Sequence, residues 1–330
     1  MLMTLALAAC KNRSQILEFS GFSMGTTYNV VAVDHDNRLD GVQVKSAVQA
    51  SLALVNQQLS NWDSASEISQ FNASGAENAF SMSSDLANVM NASAEVNAAS
   101  DGRFDTTIGP LIELWGFGAP GRAAMPNDDA IAQAMELSGQ DTTLLLAGDQ
   151  VSKQQAETQV YLAGIGKGYG ADRVGAALQA MGINDYMIEI GGDLYAAGRN
   201  PDGLAWQIGI ETPNPANRSV MNVVGLTGMG LATSGDYRNY FEVDGQRFSH
   251  LIDPTTGRPV THSTASATVL ADNAMLADAW STAMLILGRE RGLEIAAQHD
   301  IAVQFIENDR GAAQLSFTTS ASAKFEAVTA

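Results

Sequence analysis

The sequence predicts an α+β fold, in which helices and β-hairpins mix without the strand–helix rhythm of a doubly wound parallel sheet. Three observations point there. Apolar residues recur at helical spacing in separated stretches, most regularly Val44, Val48, Leu52, Val55 and Leu59. Between Tyr186 and Ile252, strand-like runs follow one another with no helix between them. An Asp244-Gly245 step joins two of these runs, and Asp-Gly supplies the positive φ angles of a tight hairpin turn.

Taken in order, residues 11–20 read as a short tether. Gly21 to Val33 is strand-like through Tyr28, Val30 and Val31, and Asp34-His35-Asp36-Asn37 is a turn. Asp40 caps the helix that carries Val44 to Leu59. A second helix fits Ser84 to Ala98, with Leu86, Val89, Met90 and Val96 inward. Residues 101–121 are rich in Gly and aromatics and read as loop, and Asn127 or Asp128 caps a third helix through Leu137. Glycine-dense residues 161–170 run into a helix from Tyr169 to Met181. Strands are expected at 186–190, 194–198, 206–211 and 220–226, then a hairpin 237–243/246–252. A long helix spans Asn273–Leu287, a shorter one Leu293–His299, and a strand Ile301–Ile306.

The chain has 330 residues, 45% of them hydrophobic, enough for one large domain or two smaller ones. Against 36 acidic residues stand only 18 basic ones, for a net charge of -18. Phosphate backbones are bound by clustered Lys and Arg, so nucleic acid is excluded as a partner, as is electrostatic attachment to an anionic membrane. The single cysteine excludes a disulfide framework and Cys-based zinc clusters. Met1 to Ala9 is apolar, and Leu7-Ala8-Ala9-Cys10 precedes the polar Lys11-Asn12-Arg13-Ser14. Small residues before a lone Cys look like a bacterial lipoprotein signal with Cys10 acylated; the other reading is an apolar N-terminus with an incidental Cys. The expected organisation is a signal remnant and tether over 1–20, then a domain over 21–325 of one unit or two packed subdomains.

Three features carry chemistry. Gly164-Ile165-Gly166-Lys167-Gly168-Tyr169-Gly170 precedes a helix, where glycines permit close approach and the helix start offers free N–H groups to phosphate. A tight strand-to-helix turn fits the same residues, and the spacing matches neither a P-loop nor a dinucleotide fingerprint. Asp278 and Thr282, at i and i+4, can aim two hard oxygens at one point, as Mg²⁺ prefers, or can satisfy nearby backbone groups. His250 lies where a strand runs into the turn Asp253-Pro254-Thr255-Thr256-Gly257, placed either to move a proton or to brace the turn. No G-x-S-x-G or HExxH supports a nucleophilic Ser or a zinc protease site.

Read together, these segments resemble the ApbE family, the FAD:protein FMN transferases. The likeness spans roughly residues 20 to 310. It is carried by Ser23-Met24-Gly25-Thr26-Thr27-Tyr28, by Leu59 to Asn72 with Ser66-Glu67-Ile68-Ser69-Gln70-Phe71-Asn72, by Phe104-Asp105-Thr106-Thr107-Ile108-Gly109-Pro110-Leu111, and by Leu114-Trp115-Gly116-Phe117-Gly118. It continues through Gly164–Tyr169 with Asp172, Ile190-Gly191-Gly192-Asp193, Ser234-Gly235-Asp236-Tyr237, His250–Val260 and Ala277-Asp278-Ala279-Trp280-Ser281-Thr282. The resemblance implies tandem T-fold-like units with mixed or antiparallel sheet and packed helices. It implies FAD as substrate, Mg²⁺ as cofactor, and transfer of FMN by a phosphoester bond to a Thr or Ser of acceptor flavoproteins, membrane redox subunits among them, with release of AMP. The implied metal ligands are Asp278, Thr282 and the carbonyl of Gly164. Flavin and adenine contacts are implied for Met24, Trp62, Arg103, Phe104, Asp105, Lys167 and Ile252, with His250 beside the reacting phosphates. Family members are often lipoproteins, so the resemblance places the protein at the periplasmic face of the cell envelope, lipid-anchored at Cys10. Two alternatives stand beside it: a Mg²⁺-dependent FAD pyrophosphatase, which would use the same residues and yield FMN and AMP, and a non-catalytic FAD-binding lipoprotein, which would not need the Asp278–Thr282 pair.

Overall fold

The structure is a computed structural model that describes residues 14–76, 78–118, 125–214, 219–237, 239–243, 246–309 and 316–330. Along the chain, β1 (Gln15–Ser23) and β2 (Thr26–Asp34) lead into α1 (Gly41–Leu59), α2 (Glu67–Ala73), β3 (Phe80–Ser81), α3 (Ser84–Ala99) and α4 (Gly109–Leu114). Then come α5 (Asp128–Glu136), α6 (Gln140–Thr143), β4 (Leu144–Ala147), β5 (Gln150–Lys153), α7 (Gly166–Ala180), β6 (Asp185–Ile190) and β7 (Asp193–Ala197). After them run β8 (Trp206–Glu211), β9 (Val220–Leu226), β10 (Met229–Gly235), β11 (Tyr240–Val243), β12 (Gln246–Ser249), β13 (Ile252–Asp253) and β14 (Arg258–Pro259). The chain closes with β15 (Thr264–Ala271), α8 (Ala274–His299), β16 (Ala302–Asn308), β17 (Phe317–Ala321) and α9 (Ala323–Thr329).

Eight of these strands form one antiparallel sheet in the order β1-β2-β6-β7-β10-β15-β16-β17. On one face Val44, Val48 and Leu52 of α1 and Val174 and Leu178 of α7 bury themselves against Tyr28, Val30 and Ile188. Helix α8 extends that layer, setting Met284 and Leu285 on Val269 and Phe305. The β8–β9 hairpin covers the opposite face, where Trp206, Val224 and Leu226 meet Leu194, Leu231 and Ile306. A separate core beside the sheet joins α2 and α3 to Phe104, Leu162 and Ile165. The expected α+β class is what the sheet and its helices form.

Several expectations change. The stretch read as a tether over 11–20 is strand from Gln15 onward, because Leu17 is buried and the segment pairs with β2 along its whole length. The fold also runs past residue 325, since α9 seats Phe325 in the core. The single strand expected over 21–33 is two, joined at Met24-Gly25, where φ values of 52° and 73° make the two-residue turn a right-twisted hairpin needs. Residues 109–114, read as loop, form a helix that starts with Pro110 in its first turn. Strands β10 and β15 were not expected. Every residue of β15 except Ala271 is buried, so it shows no inside–outside alternation. The two expected C-terminal helices are both present within α8, separated at Gly288, whose φ of 71° and ψ of 172° are not helical; the second starts at Arg289, earlier than the expected Leu293. The Asp244-Gly245 turn and Cys10 lie outside the described residues.

The start of α8 is the most constrained point. Asn273 caps it by accepting from Leu276 N–H at 2.8 Å, while Asp172 of α7 accepts from Ala274 and Met275 N–H, each at 2.9 Å. All three leading N–H groups of the helix are thereby satisfied. Two glycines let neighbouring backbone approach this turn. A Cβ on Gly168 would collide with the Ala274 carbonyl, and one on Gly230 would lie 2.5 Å from both Ala274 Cα and Asn273 C. These obstacles are backbone and cannot swing aside. We expect Gly230→Ala to lower unfolding stability by about 1–3 kcal/mol, the usual cost of overpacking. Urea denaturation monitored by circular dichroism measures it.

Candidate functional site

The α7–α8 crossing aims the chemistry of both helices into one cavity of about 1430 Å³. All eleven residues singled out from the sequence for ligand, metal or proton chemistry line it: Met24, Trp62, Arg103, Phe104, Asp105, Gly164, Lys167, His250, Ile252, Asp278 and Thr282. They come from positions up to 258 residues apart, so only folding unites them.

On one wall Asp278 is 2% exposed, and its Oδ2 accepts from Gly168 N–H at 3.1 Å. Helix α7 has no side-chain cap of its own at Ile165, so the carboxylate that meets its first turn comes from α8. Lys167 Nζ lies 2.8 Å from Asp193 and 3.3 and 3.4 Å from the two oxygens of Asp278, and donates to the Ala163 carbonyl at 3.1 Å. Burial alone would lower the Lys167 pKa, but the charges of Asp193 and Asp278 override it and hold the ammonium well above its ordinary range. Burial and the neighbouring Asp278 charge push Asp193 upward, against the pull of Lys167. Asp172, one turn along α7, is pushed up to about 6 by burial, with the N–H groups of Ala274 and Met275 opposing that shift.

Thr282 lies one helical turn beyond Asp278. Its Oγ1 is 3.3 Å from Ser234 Oγ, which also meets Ser281 Oγ at 2.9 Å. Gly164 packs so close that an added Cβ would lie 3.1 Å from Thr282 Oγ1 and 3.3 Å from Phe104 Cε2. The donors gathered here are all oxygens: a buried carboxylate, a hydroxyl and the backbone at Gly164. That set suits Mg²⁺, which binds few protein ligands and takes the rest from water or substrate. Among the described residues no group of three or more His, Cys, Asp and Glu side chains is arranged to hold a metal alone.

His250 faces the cavity from the turn after β12. Its Nδ1 is 3.1 Å from the Asn239 carbonyl. A carbonyl can only accept, so Nδ1 carries the proton and Nε2 keeps its lone pair. Burial lowers the His250 pKa and the Lys167 charge lowers it further, while the Asn239 bond opposes them. Phe117 packs edge-on against the ring with centroids 6.2 Å apart and stacks on Phe241 at 5.4 Å. Trp115 stacks on Phe248 and donates Nε1–H to the Gly257 carbonyl at 2.8 Å. The aromatic-rich segment read as loop thus clamps the hairpin that carries His250.

Two cavity residues turn polar atoms onto the protein itself. Arg103 Nη1 donates to both oxygens of Asp253, at 2.9 and 2.8 Å, and to Thr255 Oγ1 at 2.7 Å, tying the Asp253–Gly257 turn to the loop before α4. Asp105 accepts from Thr107 N–H and Oγ1–H and from Gly139 and Gln140 N–H; burial raises its pKa against those bonds. Trp62 stands at the cavity with 69% of its surface exposed. Sequence reasoning did not single out Asp193 as a site residue. Its signal, an acid directly after Gly191-Gly192 at the end of an apolar strand, is also that of an ordinary turn. The ring of His250 is expected to titrate below the ordinary 6.5 and to be neutral at pH 7. An NMR titration of its Cε1–H resonance tests this, and a midpoint above 6.5 contradicts it.

A model of the ApbE family matches residues 24–305. The chain is 39% identical over 303 residues to the FAD:protein FMN transferase of Vibrio cholerae, covering 92% of this chain and 90% of that protein. It is 39% identical over 336 residues to the FAD:protein FMN transferase of Haemophilus influenzae, covering 99% and 95%. Among solved structures, the flavin transferase ApbE from Vibrio cholerae superposes with a TM-score of 0.87 at 36% identity, over 95% of this chain and 99% of that one. With a family match over most of its length and relatives 39% identical across nine-tenths of the chain, the chain belongs to the ApbE family.

Proposed function

We propose that this protein is an FAD:protein FMN transferase: it moves the FMN half of FAD onto a Thr or Ser hydroxyl of an acceptor flavoprotein, releases AMP, and depends on Mg²⁺. One observation carries the proposal. Asp278, Thr282, Gly164 and Lys167 converge on a cavity that also holds His250, in a chain whose relatives are named for this transfer. At about 1430 Å³ the cavity exceeds the 300–1,000 Å³ usual for small ligands, which leaves room for a dinucleotide and an entering acceptor segment.

Asp278, Thr282 and the Gly164 carbonyl would hold the Mg²⁺. When bound, the ion supplies positive charge that neutralises phosphoryl oxygens and aligns the groups that exchange. Lys167 sets a permanent positive charge beside the same carboxylate, available to the nonbridging oxygens and the departing AMP. His250 Nε2, with its lone pair free, accepts the proton of the acceptor hydroxyl as that oxygen bonds to the flavin-side phosphorus. The bond from that phosphorus to the AMP phosphate breaks in the same step. Phe104, Phe117 and Ile252 line the cavity with apolar surface and disfavour water as a competing acceptor.

Location follows from the N-terminal sequence. Met1–Cys10 supports a lipid tether on Cys10 that holds the enzyme at the periplasmic face of the bacterial envelope, near membrane redox subunits. No described helix is long and apolar enough to cross a membrane, so a tether is the only attachment proposed. Growth with radioactive fatty acid should label the wild type and not Cys10→Ser; equal labelling overturns the tether.

For the activity, the protein is incubated with FAD, Mg²⁺ and a Thr-bearing acceptor. A covalently fluorescent acceptor band and one AMP per flavin transferred are expected, and neither forms in EDTA. Asp278→Asn keeps a hydrogen-bond acceptor for Gly168 but loses the charge, and should cut turnover at least about a hundredfold with an unchanged circular dichroism spectrum. Full activity in that variant excludes the proposed metal site. Free FMN formed equally with and without acceptor identifies a pyrophosphatase instead.

A further inference from the structure

We propose that Lys167 is the resident counter-ion of the metal site: its ammonium bridges Asp193 and Asp278 while no divalent cation is bound, and leaves Asp278 when one arrives. This rests on Asp278 and Thr282 being the metal ligands proposed above. Its consequence is a site that takes up metal poorly on its own and well together with an anionic substrate.

Charge sets the problem. Asp193 and Asp278 are 3% and 2% exposed, and one ammonium lies between them. Two buried carboxylates share this one ammonium, in a place where water screens charge poorly. Without Lys167 neither would keep a cation partner, and such a site would hold a divalent cation more tightly. With Lys167 present, an incoming metal must compete for Asp278, so its apparent affinity falls by the fraction of time the ammonium is away.

Geometry makes the lysine the partner that yields. Its contacts are unequal, close at 2.8 Å to Asp193 and loose at 3.3 and 3.4 Å to Asp278. Asp278 cannot follow a moving ammonium, because Gly168 N–H pins its Oδ2 at 3.1 Å and the first turn of α8 is locked by Asp172. Asp193 starts a central strand directly after a Gly-Gly turn, which fixes its backbone. Lys167 has four rotatable side-chain bonds and keeps 29% of its side chain exposed to the cavity. A pivot about Asp193 carries Nζ off Asp278 and toward any phosphate in the cavity, with neither helix moving. The anionic substrate then receives the charge that the metal displaces, and the two bind cooperatively.

The test uses the whole folded chain, stripped with EDTA and free of nucleotide, with Mn²⁺ as probe and free Mn²⁺ read by electron paramagnetic resonance. Lys167→Met should bind Mn²⁺ at least about tenfold more tightly than wild type, as removal of a competitor present nine-tenths of the time requires. Adding Asp278→Ala to that variant should abolish the gain. Affinity that is unchanged or weaker in Lys167→Met, yet still lost on Asp278→Ala, overturns the proposal and leaves the metal site standing. Mn²⁺ binding indifferent to Asp278→Ala removes the metal site and the proposal with it. Lys167→Gln serves if the methionine variant does not fold. A measurement on wild type needs no substitution: acetylation of Lys167 by an activated ester, followed by mass spectrometry, should accelerate when Mn²⁺ is added, and an unchanged or slower rate contradicts displacement.

Discussion

The structure turns on two helices that cap each other with carboxylates. Asp172 of α7 accepts from the first two N–H groups of α8, and Asp278 of α8 accepts from Gly168 in the first turn of α7. Each acid lies at the positive end of its partner's dipole, where negative charge is stabilised. Hydrogen bonds to charged groups are worth about 1.5–3 kcal/mol each, and here they cross between helices, so they hold position as well as stability. Gly168 and Gly230 remove the side chains that would keep the backbones apart. Because the crossing is rigid, Asp278 and Thr282 face the cavity in one orientation.

That rigidity reconciles the acidity of the chain with an anionic ligand. A net charge of -18 opposes phosphate almost everywhere on the surface. At the cavity the field is set locally, by Lys167, by the start of α7 and by the oxygens that suit a divalent cation. The neutral state of His250 follows from the same place, since Lys167 and burial both disfavour a second positive charge there. Acid reaches the cavity too, at Glu189 and Glu211, so an anionic ligand there depends on Lys167 and on a cation rather than on the wall as a whole.

What was legible in the sequence follows from which signals are local. Helix α1 was readable to its cap, because Asp40 and the five apolar positions Val44 to Leu59 lie within one element, and all five are buried. The helix around Asp278 was readable for the same reason. Strand β15 was not, because residues buried on both faces lose the alternation that marks a strand, and β10 was not because Met-Gly-Leu-Ala-Thr-Ser-Gly carries no run of β-formers. The start of α7 was placed three residues late. Its first turn has no Ser, Thr, Asp or Asn cap in sequence, and the acid that serves it lies 110 residues away.

By itself the sequence determined the α+β class, the acid–hydroxyl pair at Asp278 and Thr282, the glycine-dense segment before α7, and the motifs that mark the family. Each is a property of neighbours along the chain. Tertiary structure decided what those residues do for one another. It brought Asp193 to Lys167, turned the Arg103 guanidinium onto Asp253, and fixed the proton of His250 on Nδ1 through the Asn239 carbonyl. These outcomes depend on distances between segments that only the packed sheet and the α7–α8 crossing bring together. No periodicity or spacing along the chain encodes them.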